Sequence, residues 1–102
     1  MSLPVILRPE ARREYDDAFD FYESRRAGLG PRFAVRVNEV LTRIGKTPRM
    51  HALVRGDVRK AVVTKFPFCV YYRELADRVE VISVFHTSRD PADWQDRADE
   101  DG

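Results

Sequence analysis

The sequence has few of the residues that cross-link small proteins or bind metals: one cysteine and two histidines among 102 residues. The lone Cys69 cannot form an internal disulfide, which fits a reducing, cytosolic setting. So few cysteines and histidines also argue against a structural zinc site. Glycine-rich phosphate loops and the HExxH, CxxC and GxSxG motifs are missing as well. We therefore expect no metal and no cofactor, and any chemistry must come from Arg, Lys, His, Tyr or carboxylate side chains.

Long apolar runs are missing too. No stretch reaches the roughly 18 apolar residues that a transmembrane helix needs. The opening MSLPVILRPEARREY has too short an apolar run, and too early a charge, for a signal peptide. We therefore expect a soluble protein of the cytoplasm.

The charged residues nearly balance overall but are unevenly distributed. The formal net charge is +1. Between Arg49 and Arg73, however, six cationic residues stand against one aspartate, a local balance of +5. A basic patch of this kind can steer anionic partners towards a surface. It is also typical of a solvated sheet face, so charge alone leaves both interpretations open.

The apolar periodicity predicts a single domain over residues 1–97, followed by an acidic tail over 98–102 that we expect to fray. A first helix begins at Pro9, and a second, after a break at Gly28 to Pro31, runs to about Lys46. So short a connection predicts an antiparallel helical hairpin. The apolar positions, at spacings of three and four, are Ala11, Tyr15, Ala18, Phe19, Tyr22, Phe33, Val37, Val40, Leu41 and Ile44.

Strand signals lie on both sides of this hairpin. The apolar run from Leu3 to Arg8 predicts a first strand, at an edge of the sheet or beside the last strand. Three later runs, rich in Val, Thr and aromatic residues, predict an antiparallel meander because their connections are too short for parallel crossovers. These runs span Val58 to Phe66, Phe68 to Leu75 and Val79 to Phe85.

The predicted fold class is α+β, with the helical hairpin packed on one face of the sheet. Each layer has one apolar side, and it can bury that side only against the other layer. A short C-terminal helix follows the meander, capped by Ser88 or Asp90. The opposite face of the sheet is expected to remain free for a partner.

His86, at the end of the last predicted strand, is the candidate for acid–base work, since histidine is the side chain that titrates near neutral pH. A histidine in this position is more often a capping or hydrogen-bonding residue, so both roles stay open. Arg59 and Lys60 lie on the first strand of the meander. They point to opposite faces, so only one of them can join any given surface.

Two further arginines and the tryptophan are candidates for binding. Arg73 and Arg89 can hold phosphates bidentately, or they can pair with nearby carboxylates. Trp94 is either an anchor that packs the terminal helix on the sheet or a platform on which bases stack. The sequence alone leaves these alternatives open.

Four segments of the chain carry a family resemblance. They are PEARREYDDAFDFYE in the first helix, GLGPRF at the helical junction, VRKAVVTKFPFCVYYRE in the meander, and VEVISVFHTSRDPADWQDR at the end, which is the most specific. With them, the chain from Leu3 to Arg97 resembles the RelE/ParE superfamily of bacterial toxins, and most closely its ParE-like, plasmid-stabilisation branch.

The resemblance implies the toxin of a type II toxin–antitoxin pair. A cognate antitoxin would neutralise it, with a flexible C-terminal segment that wraps the helices and the sheet. RelE-like members of the superfamily cut messenger RNA in the ribosome, whereas ParE-like members poison DNA gyrase. The surface for the antitoxin or the target is expected to include Arg59, Arg73, Arg89 and Trp94.

The ribonuclease members resemble one another in lining their central strands with several lysines and arginines. Lys60 is present here, but Val62 and Cys69 occupy the positions that would extend this row. We therefore favour an inhibitor of DNA gyrase that acts by direct binding, without catalytic residues of its own. The alternatives are a metal-independent, ribosome-dependent endoribonuclease using Lys60, His86 and Arg89, or an inactive member that only binds its antitoxin.

Overall fold

The computed structural model describes residues 2–100, which form one five-stranded sheet in the order β1-β5-β4-β3-β2 together with three helices. The elements are β1 (Val5–Leu7), α1 (Pro9–Arg25), α2 (Leu29–Lys46), β2 (Leu53–Arg55), β3 (Val58–Val62), β4 (Phe68–Glu74), β5 (Val79–His86) and α3 (Ala92–Asp99), with a short 3-10 turn at Pro48–Met50. Strands β2 to β5 are antiparallel neighbours, and β1 runs parallel to β5 at the edge. The α+β prediction is confirmed, as is the first strand's place beside the last.

The hairpin of α1 and α2 packs on one face of the sheet and encloses the main core. The apolar positions that the periodicity predicted are buried there or packed against its border. From the sheet and from Val63, which directly follows β3, the core takes further residues: Ala61, Val63, Phe68, Val70, Tyr72, Val79, Val81 and Val84. Full burial of one large apolar side chain contributes about 1.5–3 kcal/mol, so this interface between helices and sheet defines the fold.

The break between the two helices is held by Glu23. Its carboxylate accepts hydrogen bonds from the backbone N–H of Gly28 at 3.1 Å and of Gly30 at 2.9 Å. Gly28 has a φ of 91°, a left-handed conformation that glycine adopts without steric cost. A Cβ on Gly30 would lie 3.1 Å from the Phe19 ring, so the close approach of the helices depends on that glycine.

The second face of the sheet is partly covered, which corrects the expectation that it remains free. Strands β4 and β5 carry apolar residues on both faces, and α3 packs on the second one. Farther along β3 this face stays open, and the Lys60 and Val62 side chains are exposed. The cluster beneath α3 consists of Val58, Cys69, Tyr71, Ile82, Phe85, Trp94 and Ala98.

The strands differ from the predicted ones in number and in their ends. A three-residue edge strand, β2, lies where no strand was predicted, and β3 ends at Val62 instead of Phe66; the ends of the other strands differ by one or two residues at most. The residues that follow Val62 form a turn that leads into β4. No helix of residues 2–100 is long and apolar enough to cross a membrane.

The terminal helix is longer than predicted. Its N-cap is Pro91, not Ser88 or Asp90, although the Asp90 carboxylate accepts a hydrogen bond from the N–H of Ala92, the first residue of the helix, at 3.0 Å. The predicted domain boundary at residue 97 falls inside α3, and Ala98 in the following turn is buried. Residues 101 and 102 of the predicted tail lie outside the described residues.

Candidate functional site

The carboxylate of Glu14 on α1 lies at the point where β1 ends and the edge of β5 becomes open. In the described part of the chain, β1 pairs with Val79–Val81 and does not extend along the rest of β5. Glu14 accepts hydrogen bonds there from the Ser83 hydroxyl at 2.9 Å and from the Val84 N–H at 3.2 Å. The side chain thus satisfies a backbone donor that the short edge strand leaves without a partner.

Two arginines approach the same carboxylate. Arg97 on α3 lies 3.0 Å from Glu14 and donates to the Ile82 carbonyl at 2.9 Å. Arg89, in the turn before α3, lies 2.8 Å from Glu14 and 3.0 Å from Asp93. The Glu14 and Arg97 side chains are 13% and 15% exposed, so salt screens this pair less than a surface pair. We call this cluster the Glu14 junction; it ties α1, β5 and α3 together.

His86 ends β5 and lines a groove between α1 and the sheet. The Ser88 N–H donates to its Nδ1 at 3.1 Å, and the Ser88 hydroxyl lies 2.7 Å from the same atom. Its ring meets the Phe68 ring edge-on, with the centroids 5.0 Å apart. These contacts match the capping role considered for this histidine. The groove, which we call the α1 groove, has a volume of about 340 Å³, and its lining includes Asp17, Phe21, Tyr22, His86 and Arg89.

Lys60 lies on the other side of the sheet from His86. In the antiparallel ladder Lys60 is opposite Tyr71, and His86 is opposite Phe68. Cross-strand partners share a face, and Tyr71 belongs to the cluster under α3 whereas Phe68 belongs to the core under α1 and α2. The structure therefore brings His86 and Arg89 to one groove and places Lys60 elsewhere.

The two candidate arginines on the sheet are engaged within the chain. Arg59 Nη1 donates to the His51 carbonyl at 2.6 Å and so holds the segment that connects α2 to β2. Arg73 lies 3.2 Å from the Asp57 carboxylate and donates to the Ala98 carbonyl at 3.3 Å, and its side chain is 11% exposed. A partner that used either arginine would compete with these internal hydrogen bonds.

Trp94 on α3 stacks on Tyr71 of the sheet. The ring centroids are 3.9 Å apart, and the planes are inclined by 13°. Trp94 is 3% exposed, so it has the position of an anchor for the terminal helix. Its indole is out of reach of a partner while α3 is docked.

Three weakly acidic side chains of β4, one thiol and two phenols, are kept protonated by their burial. Burial raises the pKa of the Cys69 thiol, and it likewise raises the pKa of Tyr71. Burial also raises the pKa of Tyr72 to about 12, and the Tyr72 hydroxyl donates to the Pro48 carbonyl at 2.6 Å. None of the three is ionised near neutral pH, so none supplies a general base there. Among residues 2–100, no group of three His, Cys, Asp or Glu side chains is arranged to hold a metal ion.

A second groove runs between α2 and the turn that joins β3 to β4. Its volume is about 630 Å³, and its lining includes Leu29, Arg32, Val35, Arg36, Lys65 and Phe66. We call it the α2 groove. Val35 is 56% exposed, and Phe21 beside the α1 groove is 51% exposed.

Sequence reasoning missed Val35, Phe21 and Glu14 as site residues. A signal existed for the first two, because they are large apolar side chains that lie off the periodic apolar faces of their helices. No such signal existed for Glu14. It is one of several acidic residues in a helix rich in charged side chains, and the sequence does not indicate which residues it contacts.

Comparisons with known proteins agree with this architecture. A family model described as the ParE toxin of the type II toxin–antitoxin system parDE matches residues 5–91. No curated protein sequence matches the chain. Among solved structures, a chain described as "Chromosomal ParDE TA system from P. aeruginosa" superimposes with a TM-score of 0.67 at 15% sequence identity. The match covers 85% of this chain and 98% of that one, and at this identity it shows a shared fold.

Proposed function

Because the chain belongs to the family of ParE toxins from type II toxin–antitoxin systems, we propose that it inhibits DNA gyrase in the cytoplasm by direct binding and that a cognate antitoxin neutralises it. Inhibition by binding needs a shaped surface and no catalytic group. The same proposal assigns no cofactor and no metal to the chain.

The observation that carries the proposal is the separation of the three residues that a ribonuclease would need. Metal-free RNA cleavage requires acid–base groups and cations gathered around one phosphate. Lys60 is on the face that α3 partly covers, whereas His86 lies on the helical side. Arg89 is held between Glu14 and Asp93, so its charge is already compensated. This geometry favours a toxin that acts through a protein contact.

The antitoxin surface is proposed on the helical layer and the adjoining edge of the sheet. Large apolar side chains are exposed there, Phe21 on α1 and Val35 on α2, and each lines or borders a groove. Arg89 lines the α1 groove with a side chain that is 41% exposed, which makes it the most accessible of the four predicted contact residues. Of the other three, Arg59 holds the segment that connects α2 to β2, whereas Arg73 and Trp94 lie on the second face of the sheet with α3 and do not join this surface.

A supercoiling assay with purified DNA gyrase tests the proposed target. The chain, purified away from its antitoxin, is titrated into a reaction that contains relaxed plasmid and ATP. We expect loss of supercoiling at micromolar toxin, and restoration when the antitoxin encoded beside the toxin gene is added. Full supercoiling at the highest toxin concentration would contradict the proposal.

The ribosome-dependent endoribonuclease remains the second candidate, because His86 and Arg89 do share one groove. It predicts cleavage of messenger RNA when the chain is added to translating ribosomes, and loss of that cleavage in His86→Ala. Intact messenger RNA in this assay together with inhibited gyrase supports the proposal. Neither effect, in a chain that still binds its antitoxin, would identify an inactive member of the family.

A further inference from the structure

The imidazole of His51 lies between the end of α2 and the start of β2, and one of its ring nitrogens has no partner. Within residues 2–100, no group makes a hydrogen bond with the buried Nε2 atom. The ring meets the Tyr72 ring edge-on, with centroids 6.2 Å apart, so it rests against a buried side chain of the core. Buried polar atoms are nearly always hydrogen-bonded, because leaving one unpaired costs free energy. Nε2 is therefore an atom at which an external hydrogen-bond partner is expected.

The guanidinium of Arg59 is fixed on the backbone next to this ring. Its Nη1 atom donates to the His51 carbonyl at 2.6 Å and to the Arg49 carbonyl at 3.3 Å. In the described part of the chain, its Nε and Nη2 atoms donate to no protein acceptor, and no carboxylate pairs with it. One nitrogen thus holds the planar guanidinium in place while the others remain available. A ligand can be bound by these other nitrogens without breaking either bond to the backbone.

Arg43 supplies a second positive charge from the last turn of α2. Its side chain is exposed and pairs with no carboxylate among residues 2–100. Burial lowers the pKa of His51, and the charges of Arg43 and Arg59 lower it further. Glu74, at the end of β4, is already paired with Arg49 at 2.9 Å. The imidazole therefore lies in a field that two uncompensated cations make positive.

The dipole of α2 explains only part of this arrangement. Cations in the last turn of a helix face its negative end, and Arg43 and Lys46 have that position. Thr47, however, already caps this end, since its N–H and its hydroxyl donate to the Arg43 carbonyl at 2.9 Å and 3.1 Å. Arg59 comes from β3, and the helix dipole offers no partner to Nε2 of His51. A negatively charged ligand accounts for all three side chains together.

We propose that Arg43, His51 and Arg59, which we call the His51 corner, form a binding site for an oxyanion of the phosphate class, either free phosphate or a phosphodiester of a nucleic acid. Guanidinium groups bind phosphate oxygens through paired N–H groups, and a protonated imidazole adds a donor at Nε2. The anion offsets the repulsion among the cations, so His51 takes up a proton as the anion binds. The His51 corner shares no residue with either groove, and the inference does not depend on the proposed function.

The test follows the imidazole protons of His51 by NMR between about pH 8 and pH 5, in sodium sulfate and in sodium chloride at equal ionic strength. Sulfate is the probe because its charge is constant over this range. The charged or titratable groups that face the ring are Arg43, Arg59 and Tyr72, and Tyr72, with a pKa of about 12, stays neutral throughout. We expect sulfate to raise the pKa of His51 by about half a pH unit or more. Identical titration curves of His51 in the two salts overturn the inference.

Arg43→Gln removes one cation of the His51 corner and keeps a residue that favours the helix. It is expected to abolish the effect of sulfate on His51 and to raise the pKa of His51 in chloride. The matched control is Arg36→Gln, which removes the same charge about two turns earlier on α2, from a side chain that is 38% exposed. It should leave the effect of sulfate intact. Loss of that effect in both variants, or in neither, contradicts the assignment.

Two further probes identify the source of the anion. Inorganic phosphate is titrated while the His51 resonance is followed, and a fluorescent DNA duplex is titrated by anisotropy at about 100 mM salt. Duplex binding that Arg43→Gln weakens by at least about fivefold, and Arg36→Gln does not, assigns the site to a nucleic acid. Saturation by inorganic phosphate without duplex binding assigns it to free phosphate. If phosphate leaves His51 unchanged and Arg43→Gln leaves duplex binding unchanged, the inference fails, while the supercoiling assay for gyrase is decided separately.

Discussion

The carboxylate of Glu14 on α1 and the guanidinium of Arg97 on α3 lie 3.0 Å apart at the open edge of β5. The two helices are on opposite faces of the sheet, so this ion pair joins both layers around the edge. The same carboxylate also holds the Val84 N–H and Arg89. Glu14 therefore links α3 to the helical hairpin, in addition to the stacking of Trp94 on Tyr71 that anchors α3 to the sheet.

Replacing Glu14 by glutamine keeps the size of the side chain but removes the charge that two arginines share. We expect the free energy of unfolding to fall by about 2 kcal/mol, since a partly buried arginine loses its compensating charge. Trp94 is the single tryptophan of the chain and lies in α3. Its fluorescence in a urea titration should therefore report detachment of α3 before the circular dichroism reports global unfolding.

Glu10→Gln is the control for that variant. Glu10 is also on α1, but it pairs with Arg8 at 3.6 Å and its side chain is 41% exposed. Its loss should change the free energy of unfolding by no more than about 0.5 kcal/mol. Equal destabilisation by the two variants would show that the Glu14 junction has no special role.

The sequence predicted the two layers well and the Glu14 junction not at all, for a physical reason. The periodicity of Phe33, Val37 and Val40 reports burial directly, because an apolar side chain needs only a face and not a particular partner. The Glu14 junction depends on where β1 stops and on a bulge that leaves Ile82 without an opposite residue on β4. Such details of register arise from tertiary packing and have no local signal.

The second face of the sheet was predictable from particular residues. Side chains alternate along β4, so Cys69 and Tyr71 lie on one face of the sheet and Val70 and Tyr72 on the other. Because both faces carry apolar side chains, each face needs another element packed on it. The element on the second face is α3, which was predicted as a short helix. For Trp94, however, the sequence left two roles open: an anchor that packs this helix on the sheet, or a platform on which bases stack. The three candidate arginines were found by their charge, and the groups that they pair with inside the chain could be known only from the folded structure.

Alkaline pH should destabilise the chain through its tyrosines. Burial raises the pKa of all four tyrosines, most strongly that of Tyr71, and it raises the pKa of Tyr72 to about 12. The unfolded chain loses its phenolic protons near pH 10, so this stability is complete below about pH 10 and is lost as the pH rises to about 12. Urea midpoints between about pH 9 and pH 11 should fall, and less steeply in Tyr72→Phe. Identical slopes in the two proteins would contradict this.

Mild acid should act through His51. Burial lowers its pKa, and the neighbouring charges of Arg43 and Arg59 lower it further. The unfolded chain therefore takes up the proton first, and the stability present above about pH 6.5 is lost as the pH falls through the lower, folded-state value. His51→Gln should flatten the decline of the urea midpoint between about pH 7 and pH 5.5. A decline as steep as in the unmodified chain would refute this role.

Single substitutions of the ribonuclease candidates should leave toxicity intact. The side chains of Lys60 and His86 lie on different faces of the sheet, so they cannot belong to one catalytic centre. The variants Lys60→Ala and His86→Ala each remove one of them. Growth inhibition after induction, with folding checked by circular dichroism, is expected to match the unmodified chain. Loss of toxicity in a folded His86→Ala variant would restore the catalytic role of this histidine.

The central claim, inhibition of gyrase without catalysis, is tested most directly by pulse-labelling of bacteria after induction of the chain, with DNA and protein synthesis followed in parallel. The account predicts that DNA synthesis fails first while translation continues. Arrest of protein synthesis within minutes, with replication still running, would contradict it and would make the residues around His86 the active site of a ribonuclease.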